Sequence, residues 1–199
     1  MGIQWVRDYE ASTQLLDQAL ELAKKAVALD NDEEFCHSTL GYVYMYRNVH
    51  ELAEFHILKA QALNPNHPGL VAALGTLYGF RGEPVRGLAC FREAIAINPH
   101  FSPSWYWRSF AVVHFTAREY EEAISAFKRS PIMPDWVEAF LAAANAQLGR
   151  MDKARQHAEA ALRLTPNLGI RAFMSREPYL HPKDANHLAD ALRKAGFSD

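Results

Sequence analysis

Cysteine is scarce in this sequence, because Cys36 and Cys90 are the only two among 199 residues. Two cysteines exclude a disulfide-rich scaffold and a zinc site built from several thiolates. Neither residue has an activating pattern beside it, so both are interpreted as buried, inert thiols rather than nucleophiles. A chain that depends so little on disulfides suits a reducing compartment, and we expect a cytoplasmic location.

An excess of one charge is also missing. The 21 Lys and Arg residues nearly balance the 23 Asp and Glu residues, which leaves a formal charge of −2. This balance gives no basic footprint for nucleic acid or for an anionic membrane surface. No run approaches the ~20 apolar residues of a membrane helix, and the start lacks the basic-then-apolar order of a signal peptide. We expect no nucleic-acid partner and no membrane insertion.

Patterns that carry catalysis or bind cofactors are not found either. No two of the nine histidines stand four residues apart, and no His-Glu-x-x-His occurs. The glycine-rich segment 75–82 lacks the preceding strand and the following Lys-Ser/Thr of a phosphate-binding loop. No nucleophile elbow is present. The sequence therefore predicts no enzyme, no cofactor and no metal, and His114 is interpreted as a structural histidine.

What the sequence does contain is an internal repeat. An Asn-Pro phrase begins at Asn64 and again at Asn98, 34 residues later, and a related Thr-Pro phrase begins at Thr165. Small residues recur ahead of these phrases and face large ones at helical spacing, which is typical of helix packing. Gly41 and Gly75 are interpreted as points where a second helix crosses closely. An alanine recurs at one place ahead of each phrase, and also ahead of the related segment 29–32, namely Ala26, Ala60, Ala94 and Ala161.

This pattern resembles the tetratricopeptide repeat, a helix–turn–helix unit of 34 residues. The resemblance implies an all-α fold, a right-handed superhelical solenoid of helix–turn–helix repeats with a C-terminal capping helix. The solenoid is expected over 1–168, and 169–199 is interpreted as a helical cap and tail in which Gly196 ends an amphipathic helix. The first repeat is degenerate and the fourth is shortened. The repeats are placed at 1–33, 34–67, 68–101, 104–134 and 135–168.

The resemblance also implies a binding surface. In such repeats the first helix of each repeat faces a concave groove that holds a peptide or helix. Here that face is aromatic and apolar, which favours a partner segment with bulky apolar anchors. The Lys, Asn and Arg residues with which related chaperone cofactors clamp a carboxylate are absent. The groove residues are Phe35, Ser38, Tyr42, Met45, Tyr46, Thr76, Phe80, Trp105, Arg108, Val112, Phe115 and Trp136.

The orientation of these side chains stays open at this point. Tyr42, Tyr46 and Phe80 either line the groove or pack in the core. Trp105 and Trp136 open their helices, and each either covers the groove or plugs the space between repeats. The one charged residue of the set either pairs with an acidic group of the partner or is simply solvated.

These features predict a non-catalytic protein–protein interaction module that binds a protein or peptide partner. Two alternatives remain. Segments 177–179 and 192–196 are similar to the C-terminal repeat region of bacterial signalling proteins. In those proteins the repeats follow a class III nucleotide cyclase or a winged-helix domain, which would make this chain a regulatory arm. Alternatively, the apolar groove could accept the end of another copy and lead to self-association.

Overall fold

The computed structural model describes residues 13–199, and within that range all regular secondary structure is helical. The all-α class predicted from the repeat is therefore confirmed. The leading half of the predicted repeat 1–33 lies outside the described residues. The helices are α1 (Thr13–Leu29), α2 (Glu34–Tyr46), α3 (His50–Leu63), α4 (Pro68–Phe80), α5 (Pro84–Ile97), α6 (Ser104–Thr116), α7 (Tyr120–Phe127), α8 (Asp135–Gln147), α9 (Met151–Leu164), α10 (Ile170–Met174) and α11 (Pro182–Ala195).

The described helices assemble into two compact units, one ending at Phe101 and the other spanning Ser102–Asp199. In the first unit α2 pairs with α3 and α4 pairs with α5. In the second unit α6 pairs with α7 and α8 pairs with α9. Each pair consists of helices that are consecutive in the chain, which is the helix–turn–helix arrangement of the repeat.

The turn inside each pair uses a residue in the left-handed region. Asn48, Gly82, Arg118 and Gly149 have φ values of 59°, 75°, 69° and 73°. They occupy the same place in their repeats, directly after the first helix. Glycine adopts this conformation freely and asparagine tolerates it, whereas a long side chain is disfavoured there. Arg118 is thus the exceptional turn residue.

The helix crossings of the first unit require glycine. A Cβ added to Gly75 would lie 2.8 Å from the ring of Phe91 and 2.9 Å from the carbonyl oxygen of Gly87. A Cβ added to Gly41 would lie 2.6 Å from Cγ1 of Ile57. Close-packed interiors leave no space for such an atom. The predicted close crossings at Gly41 and Gly75 are confirmed.

First and second helices differ in burial. In α4 every residue from Gly69 to Phe80 is buried, and α8 is buried almost as completely. In α9, by contrast, the buried residues are Ala154, Ala158 and Ala161. A helix that is apolar on all sides lies inside the fold, whereas one with a narrow apolar stripe lies at its surface. The first helices are therefore interior elements.

The chain after α9 forms a tail, residues 169–199, that contains α10 and α11. Pro182 stands in the first turn of α11, and Gly196 ends it with φ 105°, as the sequence predicts for a helix stop. The backbone N–H of Ile170 donates to the carbonyl oxygen of Ser198 at 2.7 Å, so the tail closes on itself. That the tail caps a solenoid stays a prediction; the structure packs α11 chiefly on α8.

Candidate functional site

Most of the predicted groove residues are not accessible. Phe35 is 59% exposed, and Tyr46 and Trp105 are partly exposed. An accessible position in the groove is therefore wrong for the buried members of the set, because the first helices that carry them are interior elements. For Tyr42 and Phe80, packing in the core is the interpretation that holds. The buried members are Ser38, Tyr42, Met45, Thr76, Phe80, Arg108, Val112, Phe115 and Trp136.

The polar groups among the buried residues of the first unit bond to their own helices. The hydroxyl of Ser38 donates to the carbonyl oxygen of Phe35, and that of Thr76 to the carbonyl oxygen of Ala72, each at 3.0 Å. Burial raises the pKa of the Tyr42 hydroxyl. The hydroxyls of Ser38 and Thr76 are thus already hydrogen-bonded within their own helices.

Arg108 and Trp136 pack together in the second unit. The guanidinium carbon of Arg108 lies 5.4 Å from the centre of the Trp136 ring, within cation–π range. Trp136 meets Phe127 and Phe140 edge to face, with ring centres 6.3 Å apart in both pairs. The interpretation of Arg108 as a solvated side chain is therefore wrong, since the side chain is buried. Trp136 fills the space between successive repeats, and the plug interpretation holds.

The tail covers the first-helix face of the second unit, the face formed by α6 and α8. The ring of Phe115, near the end of α6, lies 5.6 Å from the ring of His187 in α11. The hydroxyls of Thr116 and Tyr179 lie 3.3 Å apart. The tail of this same chain thus already covers Phe115, one of the predicted groove residues.

Charged and titratable side chains stabilise the edge of the contact between the tail and the first-helix face of the second unit. A guanidinium nitrogen of Arg118 donates to Oδ1 of the buried Asp184 at 3.1 Å. The hydroxyl of Tyr120 and Nε2 of His187 lie 2.9 Å apart and share a hydrogen bond. Burial, followed by the charge of Arg118, lowers the pKa of His187, although Asp184 and Asp190 act against this. The neutral imidazole is therefore the form that α11 carries when docked.

A second helix, α3, carries an exposed apolar surface that the groove prediction does not include. Leu52, Phe55 and Leu58 of α3 are 42%, 59% and 43% exposed, and we name these three side chains the α3 patch. At 100° per residue they span about 120° of the helix surface. Comparing outer faces between repeats would have found the patch. The equivalent residues are Gln18, Glu21 and Lys24; Arg86, Ala89 and Arg92; Glu122, Ser125 and Lys128; and Lys153, Gln156 and Glu159.

Reactive side chains do not cluster at the first-helix face of the second unit or at the α3 patch. Burial raises the pKa of the half-buried Cys36 and Cys90 thiols, which disfavours the nucleophilic thiolate. His114 is buried, with Nδ1 2.6 Å from a carboxylate oxygen of Glu119, in the structural role predicted for it. Within residues 13–199, no three His, Cys, Asp or Glu side chains cluster as metal ligands. In the same range no helix has the length and apolar character to span a bilayer.

Comparison with known families identifies a repeat in the second unit. A tetratricopeptide repeat model matches residues 139–168, which contain most of α8 and all of α9. The chain is also 24% identical over 183 residues to the BBSome complex member BBS4 of Bos taurus. That alignment covers 90% of this chain and 35% of the relative, so the chain spans about a third of that protein.

Two solved structures are similar to most of this chain. A chain of the APC/C hetero-tetramer Cut9–Hcn1 superposes with a TM-score of 0.69 at 19% identity, covering 83% of this chain and 33% of that one. PilW, a widely conserved type IV pilus biogenesis factor, superposes with a TM-score of 0.66 at 20% identity, covering 97% and 88%. With the matched repeat, these likenesses establish the fold as one of tetratricopeptide type, and they show the fold alone.

Proposed function

We propose that this chain is a non-catalytic protein–protein interaction module whose α3 patch binds the apolar stripe of a partner helix. The observation that carries this proposal is the exposure of Leu52, Phe55 and Leu58 where the equivalent residues of four other repeats are polar, charged or alanine. Covering three half-exposed side chains of this size contributes on the order of 3 kcal/mol. Contiguous exposed apolar residues of this kind are typical of interaction surfaces.

The comparisons support the general role. One relative is by name a member of a complex, and one similar structure is a subunit of a hetero-tetramer. Stacked helical repeats present extended surfaces that suit such binding. We further propose that the accessible residues of the predicted groove bind a partner in each unit by itself: Phe35 and Tyr46 in the first unit and, separately, Trp105 in the second.

The test exchanges the outer face of α3 for that of α9, with the substitutions Leu52→Lys, Phe55→Gln and Leu58→Glu. Wild type and variant are used to capture partners from a lysate of the source cells, and the purified partner is then titrated. We expect at least tenfold weaker binding by the variant, because the apolar contact is gone. Val85→Gln, which replaces an isolated side chain that is 79% exposed, is the matched control and should bind like wild type.

Equal binding by wild type and the α3 variant would contradict the proposal for this patch. Two parallel variants, Phe35→Ala with Tyr46→Ala in the first unit and Trp105→Ala in the second, then test the accessible groove residues separately. Retention of the partner by the α3 variant and by both of these variants would contradict a role for all three surfaces.

Two other roles are kept as hypotheses. The α3 patch could bind the α3 patch of a second copy, which would give a symmetric dimer. Light scattering over a concentration series tests this, and a constant monomer mass would contradict it.

The chain could also serve as a regulatory arm of a signalling protein. A cyclase or DNA-binding domain encoded in the same reading frame would support that role.

A further inference from the structure

The position of α11 breaks the stacking rule that the other helices follow. In the first unit α4 follows α3 in the chain and packs on it more than on α2. In the second unit α8 likewise packs on α7 more than on α6. The helix α11 does the opposite, because it lies chiefly on α8 and only lightly on α9. It therefore lies across the first-helix face of the second unit rather than where a further repeat would begin.

Arg118 joins this face to α11 at an unfavourable place for an arginine. Its φ of 69° is the left-handed turn conformation that Asn48, Gly82 and Gly149 adopt in the other repeats. Its side chain reaches Asp184 in the first turn of α11. A disfavoured backbone conformation persists where the surrounding structure determines it, and such residues cluster at ligand contacts. Here the arginine places a positive charge against the first turn of the docked helix.

The helix α11 has the chemistry of a helical ligand. Pro182 in its first turn and Gly196 after its last turn are start and stop residues that lie within its own sequence. The opposite face is polar and exposed, as at Lys194. The surface beneath is rich in alanine, which permits close approach of two helices. The buried stripe of α11 is Leu188, Ala191, Leu192 and Ala195.

We infer that α8 and the turn at Arg118 form a binding site for amphipathic helices, and that α11 is its displaceable resident ligand. The partner that fits is a helix with a carboxylate in its first turn, an imidazole or similar ring one turn later, and a Leu/Ala stripe. This site lies in the second unit and is independent of the α3 patch. Failure of the α3 test would therefore leave this inference intact, and the reverse also holds.

A tethered helix competes strongly with a free one. Short connections give effective concentrations in the millimolar range. For a free helix with a Kd of about 10 μM, such a competitor weakens binding about 100-fold. Wild type should therefore bind a free copy of α11 poorly, and a chain whose own α11 is detached should bind it well.

The experiment measures binding of a fluorescein-labelled peptide of residues 178–199 by anisotropy. The full-length variant Leu188→Asp places a charge in the buried stripe of its own α11 and should bind the peptide at least tenfold more tightly than wild type. Lys194→Asp, on the exposed face of α11, should behave like wild type. A peptide that carries Leu188→Asp should bind neither chain. Equal affinities of wild type and the Leu188→Asp chain would overturn the inference.

Exchanging the charges of the ion pair between Arg118 and Asp184 provides a second, more specific test. Adding Arg118→Asp to the Leu188→Asp chain should weaken binding of the wild-type peptide about tenfold. A peptide with Asp184→Arg should then regain affinity for the Arg118→Asp chain, because the pair is restored with reversed charges. Binding that is indifferent to both exchanges would show that the peptide does not occupy this site.

Wild type itself provides a control for misfolding. In hydrogen exchange the amides of 183–195 should exchange at least tenfold faster than those of 139–146, since a displaceable helix opens without global unfolding. If both segments exchange together, or if Leu188→Asp abolishes cooperative unfolding, α11 is part of the core and the inference is wrong.

Discussion

The helices α3 and α9 occupy the same place in their repeats but present different surfaces. In α3 the outer face exposes Leu52, Phe55 and Leu58. The equivalent exposed residues of α9 are Lys153, Gln156 and Glu159. The same backbone arrangement thus carries an apolar surface in the first unit and a solvated one in the second. Function in this fold is set by side chains placed on a common frame.

The two units also differ in the pair of polar side chains that joins the two helices of a repeat. In the first unit Nδ1 of His37 lies 2.9 Å from Nδ1 of His56, and His37 Nε2 lies 3.1 Å from the carbonyl oxygen of Asn31. Because that carbonyl can only accept, neutral His37 donates through Nε2 and accepts at Nδ1 from His56. In the second unit the equivalent pair is Glu138 and His157, 2.7 Å apart. The first pair therefore joins two imidazoles, whereas the second joins a carboxylate and an imidazole.

The helix crossings show a third contrast. In the first unit Gly41 and Gly75 face the large residues Ile57 and Phe91. At the corresponding positions of the last repeat, alanine occurs at both 142 and 158. The crossing volume is therefore divided differently: one small and one large residue in the first unit, two small residues in the last repeat.

The largest expected effect comes from overpacking a crossing. Gly75→Leu should destabilise the protein by about 1–3 kcal/mol, because the new side chain meets Phe91 and the Gly87 carbonyl. Urea unfolding followed by circular dichroism measures this as a lower midpoint. An unchanged midpoint would mean that the crossing is not at Gly75.

Transplanting the α3 patch to the second unit should have the next largest effect. Lys153→Leu, Gln156→Phe and Glu159→Leu, added to the α3 variant, should recover at least part of the tenfold loss in partner affinity. The physical reason is that the partner reads an apolar helix face, not the first unit as a whole. Titration of the purified partner measures this. No recovery would show that residues around α3 are also required.

A smaller effect is expected where the crossing holds two alanines. Ala142→Gly should destabilise by about 1 kcal/mol, the difference in helix propensity between the two residues, since Ala142 is buried within α8. The same urea experiment measures it. A loss larger than that of Gly75→Leu would contradict the division of volume described above.

The smallest expected effect is a difference in pH dependence. Burial, followed by the charge of His37, lowers the pKa of His56 below its usual value near 6.5. A lowered folded pKa contributes stability above the unfolded value, and this is lost as the pH falls through the folded value. Wild type should therefore lose stability between about pH 7 and 5. His56→Gln should reduce that loss, as urea midpoints at several pH values would show.

The repeat made the fold accessible from sequence, because its spacing reports helix packing directly. Gly41 and Gly75 were predicted as close crossings and Gly196 as a helix stop, since each is a local requirement for a residue without a Cβ. Exposure was harder to predict. An aromatic residue such as Phe80 or Phe115 has the same sequence pattern whether it lines a groove or is covered by another segment. The covering segment can lie more than sixty residues away in the sequence, as the contact of His187 with Tyr120 shows.

The long sequence separation of the tail contacts has a kinetic consequence. Partners in the helix pairs are neighbours in the chain, so they can form early and fast. Arg118 and Tyr120 meet Asp184 and His187 only after 66 and 67 residues. During vectorial synthesis the first-helix face of the second unit is therefore complete before its cover exists. A helix of similar chemistry present at that time meets this face without a tethered competitor.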